Sequence, residues 1–407
     1  MTRVSLGCAW IVLAAAGLIT GCPDSDDLPF GIVPPDEEFY VGAQACGSCH
    51  ANIAALHVRT GHAQALKPVL SEPPQFPASA PGVPAPPSGL DWSDIAYLIG
   101  GHDLPARFVN TQGFVVTGPT AQYNLAVPSI RLDAGYVPFQ AGATEPTPFA
   151  FEDFRRLTTG PLPLDASGGE RQDNRPGVEG VWAEAGVQCE ACHGPGSLHV
   201  PNPQAGNINL NAGPAACSQC HANEANPQRI AAAGGLITGF QQWTELQASP
   251  HAGFSCSICH NPHASTEFDR SAAIRNDCRA CHPNVDMALH QGFVYVEGDY
   301  VEPVTCESCH MPFAVSTRTS NVIELTNGTT ALFGDTRSHI FRLDPSRDSL
   351  TTMFGEGGTV VARDAAGQAS VSTCYVCQRC HNGLGNAFAF PADQGCAFGT
   401  DIHSRGD

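Results

Sequence analysis

Seven times this chain places two cysteines three positions apart with a histidine directly after the second. The copies are Cys46-Cys49-His50, Cys189-Cys192-His193, Cys217-Cys220-His221, Cys256-Cys259-His260, Cys278-Cys281-His282, Cys306-Cys309-His310 and Cys377-Cys380-His381. Two thiols at this spacing can form thioether bonds to the two vinyl groups of one porphyrin. The adjacent histidine then binds the iron from one face, which is the attachment pattern of c-type haem. The rival chemistry is zinc, held by paired Cys-x-x-Cys knuckles. Zinc knuckles need no histidine after the second cysteine, and an odd number of them leaves one without a partner. A disulfide scaffold has no use for the histidine either. Seven covalently bound haem c groups are therefore the expected cofactors.

Each motif histidine fills one axial position, and the ligand on the other face sets the potential and decides whether substrate reaches the metal. Of 16 histidines, nine lie outside the motifs: His57, His62, His102, His199, His251, His263, His290, His339 and His403. Methionine competes poorly, because Met287, Met311 and Met353 are the only ones beyond Met1 and Met311 directly follows His310. The expectation is bis-histidine ligation at most or all sites. His62, His199, His251, His263, His290 and His339 are the first candidates. The seventh position is open among His57, His102 and His403, of which His403 completes the candidate set. His263 lies three residues after His260, too close to pass round the same porphyrin, and is expected to serve another haem. An iron left without a distal histidine would be the place to look for catalysis.

Four further cysteines stand outside the motifs. Cys374 and Cys396 are expected to bridge round the last haem, as an exported chain allows. Cys8 and Cys22 lie in an N-terminal segment that reads as an export signal: Arg3, an apolar run from Val4 to Ile19, then Ile19-Thr20-Gly21-Cys22. That ending resembles a lipobox, so residues 1–21 are expected to be a signal peptide and Cys22 a lipidated anchor to the membrane. Export is also what haem attachment requires. The protein is expected in the periplasm or at the cell surface.

Residues 22–40 are acidic and rich in proline and form an expected tether. Removing 21 residues leaves 386, or about 55 per haem, so the haems themselves should supply much of the core. The net charge of −19 excludes nucleic acid as a partner, because phosphate binding needs a basic face. The expected partners are redox proteins, and an oligomer or haem-to-haem filament is a further possibility.

The motifs are uneven along the chain. Segment 41–185 carries one motif, 186–315 carries five, and 316–407 carries the last. Residues 106–127 alternate apolar with polar and contain glycine turns, which predicts a hairpin, and 321–363 holds similar runs. Residues 51–66 and 222–233 read as short helices. The expected fold is mainly α, with extensive irregular loops, small β insertions and a haem-dominated core.

The stretches Gly186-Val187-Gln188-Cys189-Glu190-Ala191-Cys192-His193-Gly194-Pro195-Gly196-Ser197, Ser249-Pro250-His251 through Cys256-Ser257-Ile258-Cys259-His260-Asn261-Pro262-His263, and Cys306-Glu307-Ser308-Cys309-His310-Met311-Pro312 resemble the multihaem cytochromes c related to the cytochrome c-554 and octahaem–nitrite reductase group. The resemblance implies close-packed haems, with His199 and His251 as distal ligands. The nitrite reductases carry a Cys-x-x-Cys-Lys motif that is absent here, and none of the seven tyrosines, Tyr295 and Tyr300 included, can be assigned the role of the tyrosine that hydroxylamine-oxidising relatives cross-link to haem. Electron transfer through low-potential bis-histidine haems is the expected function. The alternative is an oxidoreductase acting on a small nitrogen or sulfur compound at one open haem.

Overall fold

The computed structural model describes residues 38–403 except 78–79, 210–212, 224, 288–289, 326–329, 347 and 401, together with all side chains in that range but those of 350, 374, 375, 392 and 393. The expected signal peptide, Cys22 and most of the tether lie outside these residues. Tyr40–Asp407 form one body. No helix among the described residues is long and apolar enough to cross a membrane.

Helix and strand contribute almost equally to the peptide framework. Helix accounts for 23% and strand for 24%, which overturns the expectation of a mainly α fold with small β insertions. The physical reason lies in helix length. The longest described helices, Pro214–His221 and Ala392–Gly399, have eight residues. Helices this short gain too little from propagation to offset nucleation, so their stability comes from packing. The described residues of 222–233 form turns and a two-residue strand instead of a helix, and the helix at Ala51–His57 stops well before position 66.

The stretch between the first two motifs builds a seven-stranded antiparallel sheet. Its strands are Leu66–Pro68, Ile95–Ile99, Ala106–Asn110, Phe114–Val115, Gly118–Asn124, Gly135–Phe139 and Thr147–Pro148. Ile95–Ile99 is buried along its whole length, because one face packs with Phe149, Phe154 and Trp182 and the other with Val83 and Phe108. Phe149 is fully buried, and its ring lies 5.6 Å from Phe154 and 6.1 Å from Trp182. Phe149→Ala is expected to cost about 3–5 kcal/mol of stability, read by denaturant unfolding of the haem-loaded protein followed by far-UV circular dichroism.

A second, four-stranded sheet joins Ala232–Ala233, Leu236–Thr238, Val315–Glu324 and Thr330–Thr336. Arg318 on its long strand is buried against the first sheet and donates to the carbonyls of Pro105 and Ile99. Asn124 donates to Thr319 Oγ1 at 3.1 Å and Asn321 to the Ile130 carbonyl at 2.9 Å. These bonds satisfy polar groups that the contact between the sheets desolvates, as buried polar groups require.

Candidate cofactor sites

Five motifs have both cysteines on a helix, at Ala43–Cys49, Cys189–His193, Pro214–His221, Cys256–Cys259 and Cys306–His310; the motif at 278–282 begins on a single 3-10 turn, Cys278–Ala280, and the one at 377–381 starts at the last residue of the helix Thr373–Cys377 and continues in a turn. One helical turn brings the two cysteines of a motif to one face, and the histidine follows where the helix ends. Capping sets two of these starts: Ser255 Oγ accepts from Ser257 N–H and Asp277 Oδ1 from Ala280 N–H. None of the fourteen motif cysteines is taken up by a disulfide. No cluster of three or more His, Cys, Asp or Glu side chains suited to hold one metal ion forms among the described residues, so four-ligand zinc knuckles are not assembled there.

Every motif histidine faces one non-motif histidine. Ring centroids are 6.4 Å apart for His50 and His199, 6.1 Å for His193 and His263, and 5.9 Å for His221 and His62. They are 6.2 Å apart for His260 and His339, 6.0 Å for His282 and His251, 5.8 Å for His310 and His403, and 6.0 Å for His381 and His290. Two trans imidazoles on one metal, each bonded at about 2 Å, hold their centroids roughly 6 Å apart. Imidazoles in direct contact would lie closer. The residues present therefore fit an iron between each pair. We number the sites 1 to 7 by their motifs.

The two remaining histidines make no such pair. His57 ends its helix beside the site 2 pair, and burial pushes its pKa down to about 4, helped by His263 and His193. His102 is fully buried against Phe268 and Phe76, and neither of its ring nitrogens makes a hydrogen bond. Every pair joins different parts of the chain. His199, after the second motif, faces the first, and His62, after the first, faces the third.

Hydrogen bonds orient six of the rings through Nδ1. The partners are the carbonyls of Asn209 for His193, Gln204 for His199, Phe341 for His310, Phe388 for His381 and Asp286 for His403, and the Gln242 side-chain oxygen for His221. A proton held on Nδ1 leaves Nε2 free as the ligand atom and makes it more basic. Burial lowers the pKa of His62 to about 4 and that of His339 to about 3, with His221 and His260 adding to the effect, so both rings stay neutral as ligation requires. These outer partners had no signature in the sequence, since five of the six are backbone carbonyls. Gln242→Leu removes the one side-chain acceptor, 2.9 Å from His221 Nδ1. It is expected to raise the midpoint potential of site 3 alone by roughly 20–60 mV, the equivalent of one hydrogen bond, read by redox titration.

Neighbouring motifs touch in chain order. The first helix packs on Cys189–His193, Pro214–His221 on Cys256–Cys259, and Cys306–His310 on Thr373–Cys377. The first cysteines of neighbouring motifs lie close together at Cys46 and Cys189, Cys217 and Cys256, and Cys278 and Cys306. The alternate junctions use the second cysteines. Cys192 lies close to Cys217 and Cys220, Cys259 to Cys281, and Cys309 to Cys377 and Cys380. The Glu190 carboxylate clamps the first junction by accepting from the N–H groups of Val41, Gly42 and Gly196. Beside the last motif, Cys396 is buried and disulfide-bonded, while the side chain of Cys374, its expected partner, lies outside those described.

No family model matches this chain, and no curated protein does. Three solved structures resemble it. The octaheme sulfite reductase MccA of Wolinella succinogenes aligns over 91% of this chain and 68% of its own, with 16% identity and a TM-score of 0.52. The outer cell wall cytochrome OcwA aligns over 75% and 80%, with 18% identity and a TM-score of 0.46. An undecaheme cytochrome from the S-layer of Carboxydothermus ferrireducens aligns over 68% of this chain and 51% of its own, with 18% identity and a TM-score of 0.39. The likeness to the octaheme protein MccA is one of fold.

Proposed function

We propose that this chain is a heptahaem c-type cytochrome that relays electrons between redox partner proteins through seven bis-histidine sites. The observation that carries this reading is the set of seven histidine pairs with centroids 5.8–6.4 Å apart. In each site the two motif cysteines would hold the porphyrin covalently, and the motif histidine and its facing histidine would supply the two ligands to iron. The distal set is His199, His263, His62, His339, His251, His403 and His290 for sites 1 to 7. Bound haem supplies one-electron ferric–ferrous chemistry. Two imidazoles on each iron leave no position for substrate, favour low potentials and keep coordination the same in both oxidation states. Chain-order contacts between motifs support an unbranched path with sites 1 and 7 at its ends. The export signal and Cys22 support a lipid-anchored protein outside the cytoplasmic membrane.

Mass spectrometry of the mature protein is expected to count seven haems. Magnetic circular dichroism of the oxidised protein is expected to show only low-spin iron. A high-spin signal that moves with nitrite, hydroxylamine or sulfite would sink the relay reading and favour an oxidoreductase with one open haem.

A further inference from the structure

Phe341 holds a left-handed backbone conformation, with φ of 60°. A bulky residue in this region is an outlier that persists only when its surroundings over-determine it. Here they do. On one side, Ile340 is fully buried and takes a bond from its own N–H to Ser338 Oγ, while Glu245 accepts from the His339 N–H at 2.8 Å. On the other, the Arg342 N–H reaches back to the Ile340 carbonyl at 2.7 Å, and its carbonyl accepts from Val371 at 2.9 Å.

The strained turn sends the two parts of Phe341 to different sites. Its ring meets His251 edge-on, with centroids 4.8 Å apart and planes at 78°, and meets His339 at 5.9 Å and 82°. Its carbonyl accepts from His310 Nδ1 at 2.8 Å. These histidines belong to sites 5, 4 and 6. We propose that Phe341 is a positioning residue that sets the axial imidazoles of three consecutive sites at once, its ring fixing His339 and His251 and its left-handed carbonyl fixing His310. The inference rests on the bis-histidine reading of those sites. An edge-on aromatic ring limits rotation of each imidazole about its bond to iron, and the relative angle of the two axial rings shapes the low-spin resonance signal. A carbonyl on Nδ1 makes the opposite nitrogen a stronger donor.

Three variants of the haem-loaded full chain separate the two contacts, with potentials assigned site by site from haem methyl resonances and g-values from electron paramagnetic resonance. Phe341→Leu removes the aromatic edge and is expected to shift the potentials and g-values of sites 4 and 5, leaving site 6 unchanged. Phe341→Gly should give the same pattern, because glycine keeps the left-handed turn without strain. Phe341→Val, whose branched side chain resists that turn, should shift site 6 as well. Unchanged signals at sites 4 and 5 in Phe341→Leu, a uniform shift of all seven, or an unmoved site 6 in Phe341→Val would overturn the proposal. A high-spin site in the unsubstituted protein would instead sink the relay reading, so the two failures are distinguishable.

Discussion

His403→Ala is expected to convert about one-seventh of the iron from low-spin to high-spin and to create one site that binds cyanide or nitrite. His403 faces His310 with nearly parallel rings, 5.8 Å apart at 9°, and its Nδ1 is held by the Asp286 carbonyl at 2.7 Å. Its ring is exposed near the end of the described chain, so the substitution removes a ligand and little packing. His57→Ala and His102→Phe serve as controls. Neither ring faces a motif histidine, so both variants are expected to keep all seven irons low-spin, although His102→Phe changes a fully buried site. Magnetic circular dichroism decides the matter. A high-spin signal in His57→Ala or His102→Phe, with none in His403→Ala, would reassign the distal ligand of site 6.

Glu302→Gln is expected to cost about 3–5 kcal/mol of stability, because it leaves a buried guanidinium without its charge partner. Glu302 accepts from both terminal nitrogens of Arg379, from Tyr300, from Arg337 and from Ser308. Arg379 lies between Cys377 and Cys380 of site 7, its side chain only 4% exposed, and Ser308 lies within the motif of site 6. One carboxylate therefore ties the last two sites together. Burial alone would raise its pKa, but the hydrogen bonds and charge of Arg379, with Tyr300 and Arg337, outweigh that and bring it down to about 2. A carboxylate depressed on folding contributes its full stability above its ordinary pKa of 4.5 and loses it as pH falls toward 2. Acid unfolding of the unsubstituted protein should therefore steepen across that window, and Glu302→Gln should flatten it. Equal slopes for the two proteins would remove Glu302 from the account.

The attachment chemistry was legible because it is local. Two thioether bonds and one iron bond to a single porphyrin need three side chains within five consecutive residues, so Cys306, Cys309 and His310 announce their site without help from the fold. The surplus of non-motif histidines over methionines was equally plain. The strands of 106–127 showed in their alternation, and the structure pairs Ala106–Asn110 with Gly118–Asn124 there. The mainly α expectation failed because the helical spacing of 51–66 yields only the seven-residue helix Ala51–His57, and that of 222–233 yields a two-residue strand at Ala232–Ala233. His57 and His62 show the error. The helix ends at His57, the chain turns, and the two rings go to different surroundings.

Pairing lay beyond the sequence because it is non-local. The spacing of His339 from any motif says nothing of His260, which it reaches only because the four-stranded sheet and buried Ile340 carry that loop back to the fourth motif. The same holds for the order of the sites, which depends on which motif helices pack together. It holds too for Phe341, an ordinary phenylalanine in the sequence whose left-handed backbone and three histidine neighbours exist only once distant segments close round it. The sequence by itself determined how many haem-attachment motifs the chain carries and where they lie, since each motif is a run of contiguous residues. Only the tertiary structure decided which histidines face each other and along what path, since each facing pair is made by long-range packing that no run of residues specifies.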